Sequence, residues 1–225
     1  MLNINVKQNL ENILLDLPKN VRLVAVSKYH PIENIQEAYL AGQRIFGESH
    51  VQELRKKQPF LPDDIQWHFI GHLQTNKVKY IAPYISMIES VDSERLISEI
   101  NKEAAKNNRT IDILLELHIS DESTKSGFSI KECNDLLNSS LKERYSNVRI
   151  CGLMMMASNT NAENVLSNEF KKASDYFDYL KSNFFPNDNY FCERSWGMSS
   201  DYLIAIQNKS TLVRIGTAVF GPRIY

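Results

Sequence analysis

The chain has 225 residues, 43% hydrophobic and 24% charged, with a formal net charge of −1. That is an ordinary globular composition, and so small a charge argues against a nucleic-acid or membrane-surface footprint. No apolar run approaches the roughly 18 residues of a membrane span, and the acidic and polar residues of MLNINVKQNLENILLDL leave no signal-peptide core. The three cysteines, Cys133, Cys151 and Cys192, are widely spaced without a CxxC pair. They suit unpaired thiols in a reducing cytoplasm and give no structural zinc pattern. With 8 Gly and 7 Pro there is no low-complexity linker, so one compact domain over 1–225 is expected.

In chain order, Val6, Leu10, Ile13, Leu14 and Leu17 have helical spacing, which predicts a helix over 5–17. VRLVAVSK, 21–28, reads as a strand buried on both faces. Pro31 opens a helix ending near Gly42, and a short strand follows over 44–48. Ser49 is a candidate cap for HVQELRKKQ. WHFIG, 67–71, is a third strand, LQTNKVKYIAP a helix, and MIESV, 87–91, a fourth strand. Ser93 caps a helix to about Asn107; IDILLELHI, 111–119, is the fifth strand, and a helix covers roughly 129–144. VRICGLMMM, 148–156, is the sixth strand, and a helical stripe runs over 162–183. A seventh strand lies around FCERSWGM, SSDYLIAIQ is a short helix, and TLVRIGTAVFG, 211–221, is the eighth strand.

Strands alternating with helices in this number predict a single-domain (β/α)8 TIM barrel. The last strand leaves almost no residues for an eighth helix, so the N-terminal helix is expected to cover that place. The structural rival is an open doubly wound sheet.

Chemistry in such barrels lies at the C-terminal strand ends. Lys28 is at one. Partial dehydration there would lower its pKa from about 10.4, and a neutral amine attacks aldehydes to form Schiff bases. The plainer reading is a lysine reaching solvent past an ordinary strand end. If Lys28 points inward, so do Val26 and Val24. On strand eight, Arg214 and Gly216 share a face, leaving a gap beside an arginine that needs a partner. Glu116, Glu48 and Glu193 are the candidate partners. GMSSD, 197–201, is a glycine-flanked turn entering a helix, suited to a phosphate, with hydroxyls from Ser199 and Ser200; taken alone it is a serine N-cap. Gly216 and Thr217 lie on the adjacent strand, and loops after strands seven and eight commonly hold phosphate. Lysine, arginine and phosphate cradle in one pocket fit a phosphorylated aromatic aldehyde, and pyridoxal 5′-phosphate (PLP) needs all three.

Several stretches resemble the PLP homeostasis protein family (the YggS/PROSC group), relatives of the alanine racemase N-terminal barrel. They are AVSK at 25–28, FGE and VQE within 46–53, WHFIGHLQTNK at 67–77, ESVDS at 89–93, TKSGF at 124–128, CGLM at 151–154, GMSSD at 197–201 and VRIGTAVFG at 213–221. The resemblance implies a PLP aldimine on Lys28, phosphate contacts from Ser199, Gly216 and Thr217 with the backbone of Met198, and Arg214 facing the pyridine nitrogen. Ser49 stands where the family usually has an asparagine near the cofactor, so a water is expected in its place. Trp196 and Met155 also depart from the family pattern, with expected effects on the pocket wall.

An arginine at the pyridine nitrogen keeps it unprotonated and weakens the ring as an electron sink. With no second domain expected to supply another acid/base, the reading is a cytoplasmic carrier that buffers PLP and delivers it to amines or apo-PLP enzymes. A monomer is expected, with no nucleic-acid or membrane partner. The alternative is an amino-acid racemase of low activity using Tyr29, His68 or His72, with His68 otherwise pointing outward and His72 bonding to backbone. A third reading is a cofactor-free Schiff-base aldolase. Tyr225 could reach back to the pocket. The methionine run and both tryptophans read as packing residues.

Overall fold

A computed structural model describes residues 5–119 and 126–222. Strands β1 (Arg22–Val26), β2 (Ile45–Glu48), β3 (Gln66–Phe69), β4 (Met87–Val91), β5 (Ile111–Leu117), β6 (Val148–Met155), β7 (Glu193–Met198) and β8 (Leu212–Ile215) are parallel and close into a barrel in sequence order. Their period-2 alternation separates two cores. Val24, Ile45, Met87, Leu114, Cys151, Met154 and Leu212 form one cluster inside the barrel. Leu23, Ala25, Phe46, Trp67, Phe69, Val213 and Ile215 belong to the larger one between strands and helices. Further along three strands the next inward position is charged: Glu89 after Met87, Glu116 after Leu114 and Arg214 after Leu212. The inner core is therefore apolar at its base and polar toward the C-terminal mouth.

Side-chain caps explain three helix starts. Asn5 accepts the Gln8 N–H at 2.9 Å to cap α1 (Val6–Asp16), Ser93 caps α4 (Glu94–Lys106), and Ser129 with Glu132 forms a capping box on α5 (Ile130–Leu137). The helix predicted to be capped by Ser49 is α3 (Val51–Lys57), whose N-cap position is His50, with no side-chain cap bond. Helix α1 packs against α2 (Ile32–Leu40) and α9 (Thr217–Phe220). There Lys7 N–H donates to Glu37 Oε1 at 2.9 Å and Asn9 Nδ2 to Val219 O at 3.1 Å. The N-terminal helix thus covers the β8–β1 seam, as expected.

Four predicted elements differ. Between β3 and β4 there is a 3₁₀ turn, Thr75–Tyr80, in place of an α-helix. The run is short and Pro83 withholds the N–H that would continue it. The helix expected over 129–144 is broken into α5 and α6 (Leu141–Arg144). Ser139 Oγ bonds back to Leu136 O at 2.6 Å and Ser140 is left-handed at φ 54°, the local competition that serine offers a helix. Strand β8 ends at Ile215, and Thr217–Phe220 coil into α9, burying Val219 and Phe220; a short apolar run does not by itself distinguish strand from helix. Strand β1 ends at Val26, two residues before Lys28. The remaining helices are the long α7 (Glu163–Asn183) and, behind β7, the short α8 (Tyr202–Gln207). Among the described residues no helix is long and apolar enough to cross a membrane.

Gly152 explains part of the CGLM stretch. A Cβ there would lie 1.9 Å from Glu193 O, its partner across β6–β7. Gly152→Ala should cost about 3 kcal/mol or more, read as a lower urea midpoint; an unchanged midpoint would refute this close approach.

Candidate functional site

A cavity of about 300 Å³ opens at the barrel mouth beyond β1, β7 and β8. Lys28, Met198, Ser199, Arg214, Gly216 and Thr217, six of the seven residues singled out from the sequence, line it. Val26, His30, Ile70, Met156 and Ser200 complete the wall. Ser49 is the exception. It packs against Gly71, where a Cβ would come within 2.7 Å of the Ser49 Cβ, and it lines a neighbouring cleft with His50, His72 and Lys77.

Lys28 follows the strand in a turn. Ser27 N–H still reaches Gly47 O at 3.0 Å, and His30 N–H returns to Ser27 O at 3.1 Å. Lys28 and Tyr29 are thus the central residues, and Tyr29 has φ 66°, the positive value typical of the second central position in a type II turn.

At the β7 end, a Cβ on Gly197 would meet Ala205 Cβ at 2.6 Å and Tyr202 Cα at 2.9 Å. Glycine there, at φ 94°, lets α8 pack against the strand and leaves Ser199 and Ser200 exposed on the turn between them. Asp201 closes that turn: its Oδ1 accepts the Met198 N–H at 2.5 Å. The Met198 N–H, expected to serve a phosphate, is therefore already engaged. Burial pushes the Asp201 carboxyl above its ordinary value, against the opposing effects of the Met198 N–H and Arg214. Asp201, not a serine, holds the N-cap position of α8, with no cap bond from its side chain. At the β8 end Gly216 and Arg214 both line the cavity, with Val26 of β1 close against the glycine. A Cβ on Gly216 would meet Val26 O at 3.2 Å and Val26 Cβ at 3.3 Å.

Arg214 forms the floor and is buried. Its Nη1 donates to Ser195 O and Oγ, both at 2.6 Å, and its Nη2 to Met155 O at 2.9 Å. Its carboxylate partner is Glu89, at 3.9 Å, and none of the three glutamates named from the sequence. Glu48 pairs with Lys57, Glu193 with Arg22, and Glu116 accepts from Ser126 Oγ at 2.8 Å. Glu89 also accepts from Ser195 Oγ and lies 2.6 Å from His68 Nδ1. Burial alone would raise Glu89; the His68 hydrogen bond, the charges of His68 and Arg214, and Ser195 together hold it below the ordinary carboxylate value. Burial pushes Arg214 below the ordinary guanidinium value, opposed by Glu89, Asp201 and Glu116. Burial likewise raises Glu116.

The other candidates disperse. His68 points into the barrel, not outward, because Trp67 and Phe69 on either side face the outer core. His72 is exposed, pairs with Asp92 at 3.2 Å and lies outside the cavity. Tyr29 is exposed, its hydroxyl 3.3 Å from His50 Nε2. Trp196 and the Met155 side chain belong to the outer core, so neither departure alters the pocket wall; Met156 does line it. Tyr225 and the first two residues of TKSGF lie outside the described residues. Sequence reasoning missed His30, Asp201 and Glu89. A carboxylate in the apolar strand MIESV was the available signal for the last.

A (β/α)8 barrel with a lysine, an arginine and a hydroxyl-lined turn converging at its mouth defines a class, and the comparisons agree with it. The family described as "Alanine racemase, N-terminal domain" matches residues 4–223. The pyridoxal phosphate homeostasis protein of Schizosaccharomyces pombe is 38% identical over 209 residues, covering 91% of this chain and 85% of that protein. PipY of Synechococcus elongatus PCC7942, solved without PLP, superposes with a TM-score of 0.90 at 34% identity, covering 96% of this chain and all of PipY. Solved with PLP bound, it gives 0.87 at 33% identity over the same shares. Alanine racemase of Bartonella henselae shares the fold, at a TM-score of 0.74 and 16% identity, with 97% of this chain covering 59% of that one. The chain belongs to the pyridoxal phosphate homeostasis protein family.

The Glu89 shift fixes a sign. Its folded value lies below the unfolded one of about 4.3, so its stabilisation is complete above that value and lost as pH falls through the depressed folded value. Glu89→Gln strands a buried arginine and should cost about 3–5 kcal/mol near neutral pH, with a smaller deficit in acid. Urea unfolding of both proteins across the acid range measures this; a pH-independent difference would contradict it.

Proposed function

We propose that this chain binds PLP at the barrel mouth, holds it covalently on Lys28, and serves intracellular PLP homeostasis by buffering and delivering it. The observation that carries the reading is the convergence of Lys28, Arg214 and the Ser199 and Thr217 hydroxyls on one cavity. Its volume, about 300 Å³, is at the lower edge of small-ligand pockets and suits a compact cofactor. When bound, PLP supplies an aldehyde that condenses with a lysine amine; Lys28 is that amine. Ser199, Thr217 and the backbone at Gly216 hold the phosphate. Met198 contributes its side chain to the wall, since its N–H is bonded to Asp201. Ser49 contributes no direct contact, because it faces the neighbouring cleft.

Arg214 faces the ring nitrogen and keeps it unprotonated, for a guanidinium does not surrender its proton. A ring so held is a weak electron sink, which favours storage over rapid turnover. The relatives' names and the PLP-bound PipY structure support the same reading. In this proposal residues 1–225 act as one PLP-binding domain, as a cytoplasmic monomer, and the recipients are amines or apo-PLP enzymes.

Of the groups considered as a second acid/base, His68 is buried against Glu89, and none of His68, His72 and Tyr29 lines the cavity. Two assays separate carrier from racemase. PLP-loaded protein should restore activity to an apo-PLP enzyme, and L-alanine in deuterated water should show no α-proton exchange approaching about 1 s⁻¹. Exchange at that rate would overturn the carrier reading.

A further inference from the structure

If Lys28 is the attachment point, as proposed above, the chain must present its amine at the cavity, and the groups that do so lie outside the cavity. They are on β2 and α3, beneath the turn that carries Lys28. Lys57 is a buried lysine, with 8% side-chain exposure, against Glu48 at 0% and Glu53 at 21%. Its Nζ donates to Glu48 Oε1 at 2.8 Å, Glu53 Oε1 at 2.6 Å and Ser27 O at 2.8 Å. Ser27 Oγ donates to the same Glu48 oxygen at 2.7 Å. Tyr29 N–H donates to Glu53 Oε1 at 2.6 Å.

The residue before Lys28 and the residue after it are therefore gripped by one charged cluster. Ser27 is held by carbonyl and hydroxyl, Tyr29 by its amide. The cluster is not the cheapest way to fill this space. Burying an ammonium and a carboxylate usually gains little over well-packed apolar residues. Burial raises Glu48 above its ordinary carboxyl value, against the pull of Lys57, and its Oε2 has no hydrogen-bond partner. Tyr29 is also held in a left-handed conformation that a tyrosine adopts only under constraint. Unneeded charge and backbone strain coincide at the two residues flanking the lysine.

We infer that Lys57, Glu48 and Glu53 are positioning residues for Lys28: they clamp the Ser27–Tyr29 backbone so that the amine is aimed at an aldehyde seated in the cavity. In the condensation the C–N bond forms, two protons leave the nitrogen and the aldehyde oxygen departs as water; no oxidant is needed. The clamp touches neither ring nor phosphate, so it should govern covalent attachment without governing recognition.

Glu53 offers the mildest test, being partly exposed and leaving the Lys57–Glu48 pair intact when removed. Apoprotein, Glu53→Ala and Glu53→Gln are mixed with PLP, and the adduct is trapped with borohydride and mapped to Lys28 by peptide mass. Binding of pyridoxine 5′-phosphate, which has the ring and phosphate but no aldehyde, is titrated in parallel. Hydrogen exchange of the Tyr29 amide is followed without ligand. Glu53→Ala should slow adduct formation by about tenfold or more, speed exchange at Tyr29 and leave pyridoxine 5′-phosphate affinity unchanged. Glu53→Gln, which restores an oxygen acceptor, should recover most of the rate. An unchanged adduct rate in Glu53→Ala, or equal weakening toward both ligands, would overturn the clamp. Absence of any Lys28 adduct in the unsubstituted protein would instead overturn the attachment reading itself.

Discussion

The pairing of the first strand with the last is the constraint from which the site follows. Val24 lies opposite Arg214 and Ala25 opposite Ile215. That register carries the turn after β1 to the same edge of the mouth as Gly216 and Thr217. It also favours glycine at 216, because a Cβ there would press on Val26 at 3.2–3.3 Å. Helices α1 and α9 cover the same seam from outside, with the Asn9 bond to Val219 O tying them. Residues from opposite ends of the chain thus form one wall because the sheet closes.

Two buried ionic clusters support that wall. Inside the barrel, Glu89, His68 and Ser195 balance and orient Arg214. Outside it, Lys57, Glu48 and Glu53 hold the backbone around Lys28. In both, a strand carboxylate near the C-terminal mouth, Glu89 on β4 and Glu48 on β2, supplies an anion, joined in the outer cluster by Glu53 of α3. Buried ion pairs seldom add much net stability. Among the described residues, the arginine and lysine pairs with the most deeply buried side chains, Arg214–Glu89 and Lys57–Glu48, both lie at the functional end of the barrel, which points to orientation of a few polar groups as their use.

Much of the barrel was legible in the chain. Strands buried on both faces are continuous apolar runs, and their even alternation with helical stripes leaves few architectures. What escaped depended on short-range competition or long-range closure. VRIGTAVFG reads as strand throughout, yet Val219 and Phe220 find burial under α1 only by coiling. Ser139 and Ser140 end a helix that periodicity would continue. In the site, Lys28, Arg214 and the Gly197–Asp201 turn were readable because they end strands. The Arg214–Glu89 partnership was not, because it crosses the barrel between β8 and β4. His68 was misassigned because a strand flanked by apolar groups on both faces does not reveal which face is inner; Trp67 and Phe69, each large enough to need the outer core, held the answer. Met155 and Trp196, tied to the pocket wall only by their departure from the family pattern, face the outer core.

The central claim is that the lysine after β1 is the point of covalent attachment for PLP. An absorbance spectrum of the purified protein with added PLP, before and after borohydride and beside Lys28→Ala, tests it most directly. The account predicts a band near roughly 420 nm, the usual signature of a PLP imine, that borohydride abolishes and the variant lacks. The same band in Lys28→Ala, or none in the unsubstituted protein, would contradict it.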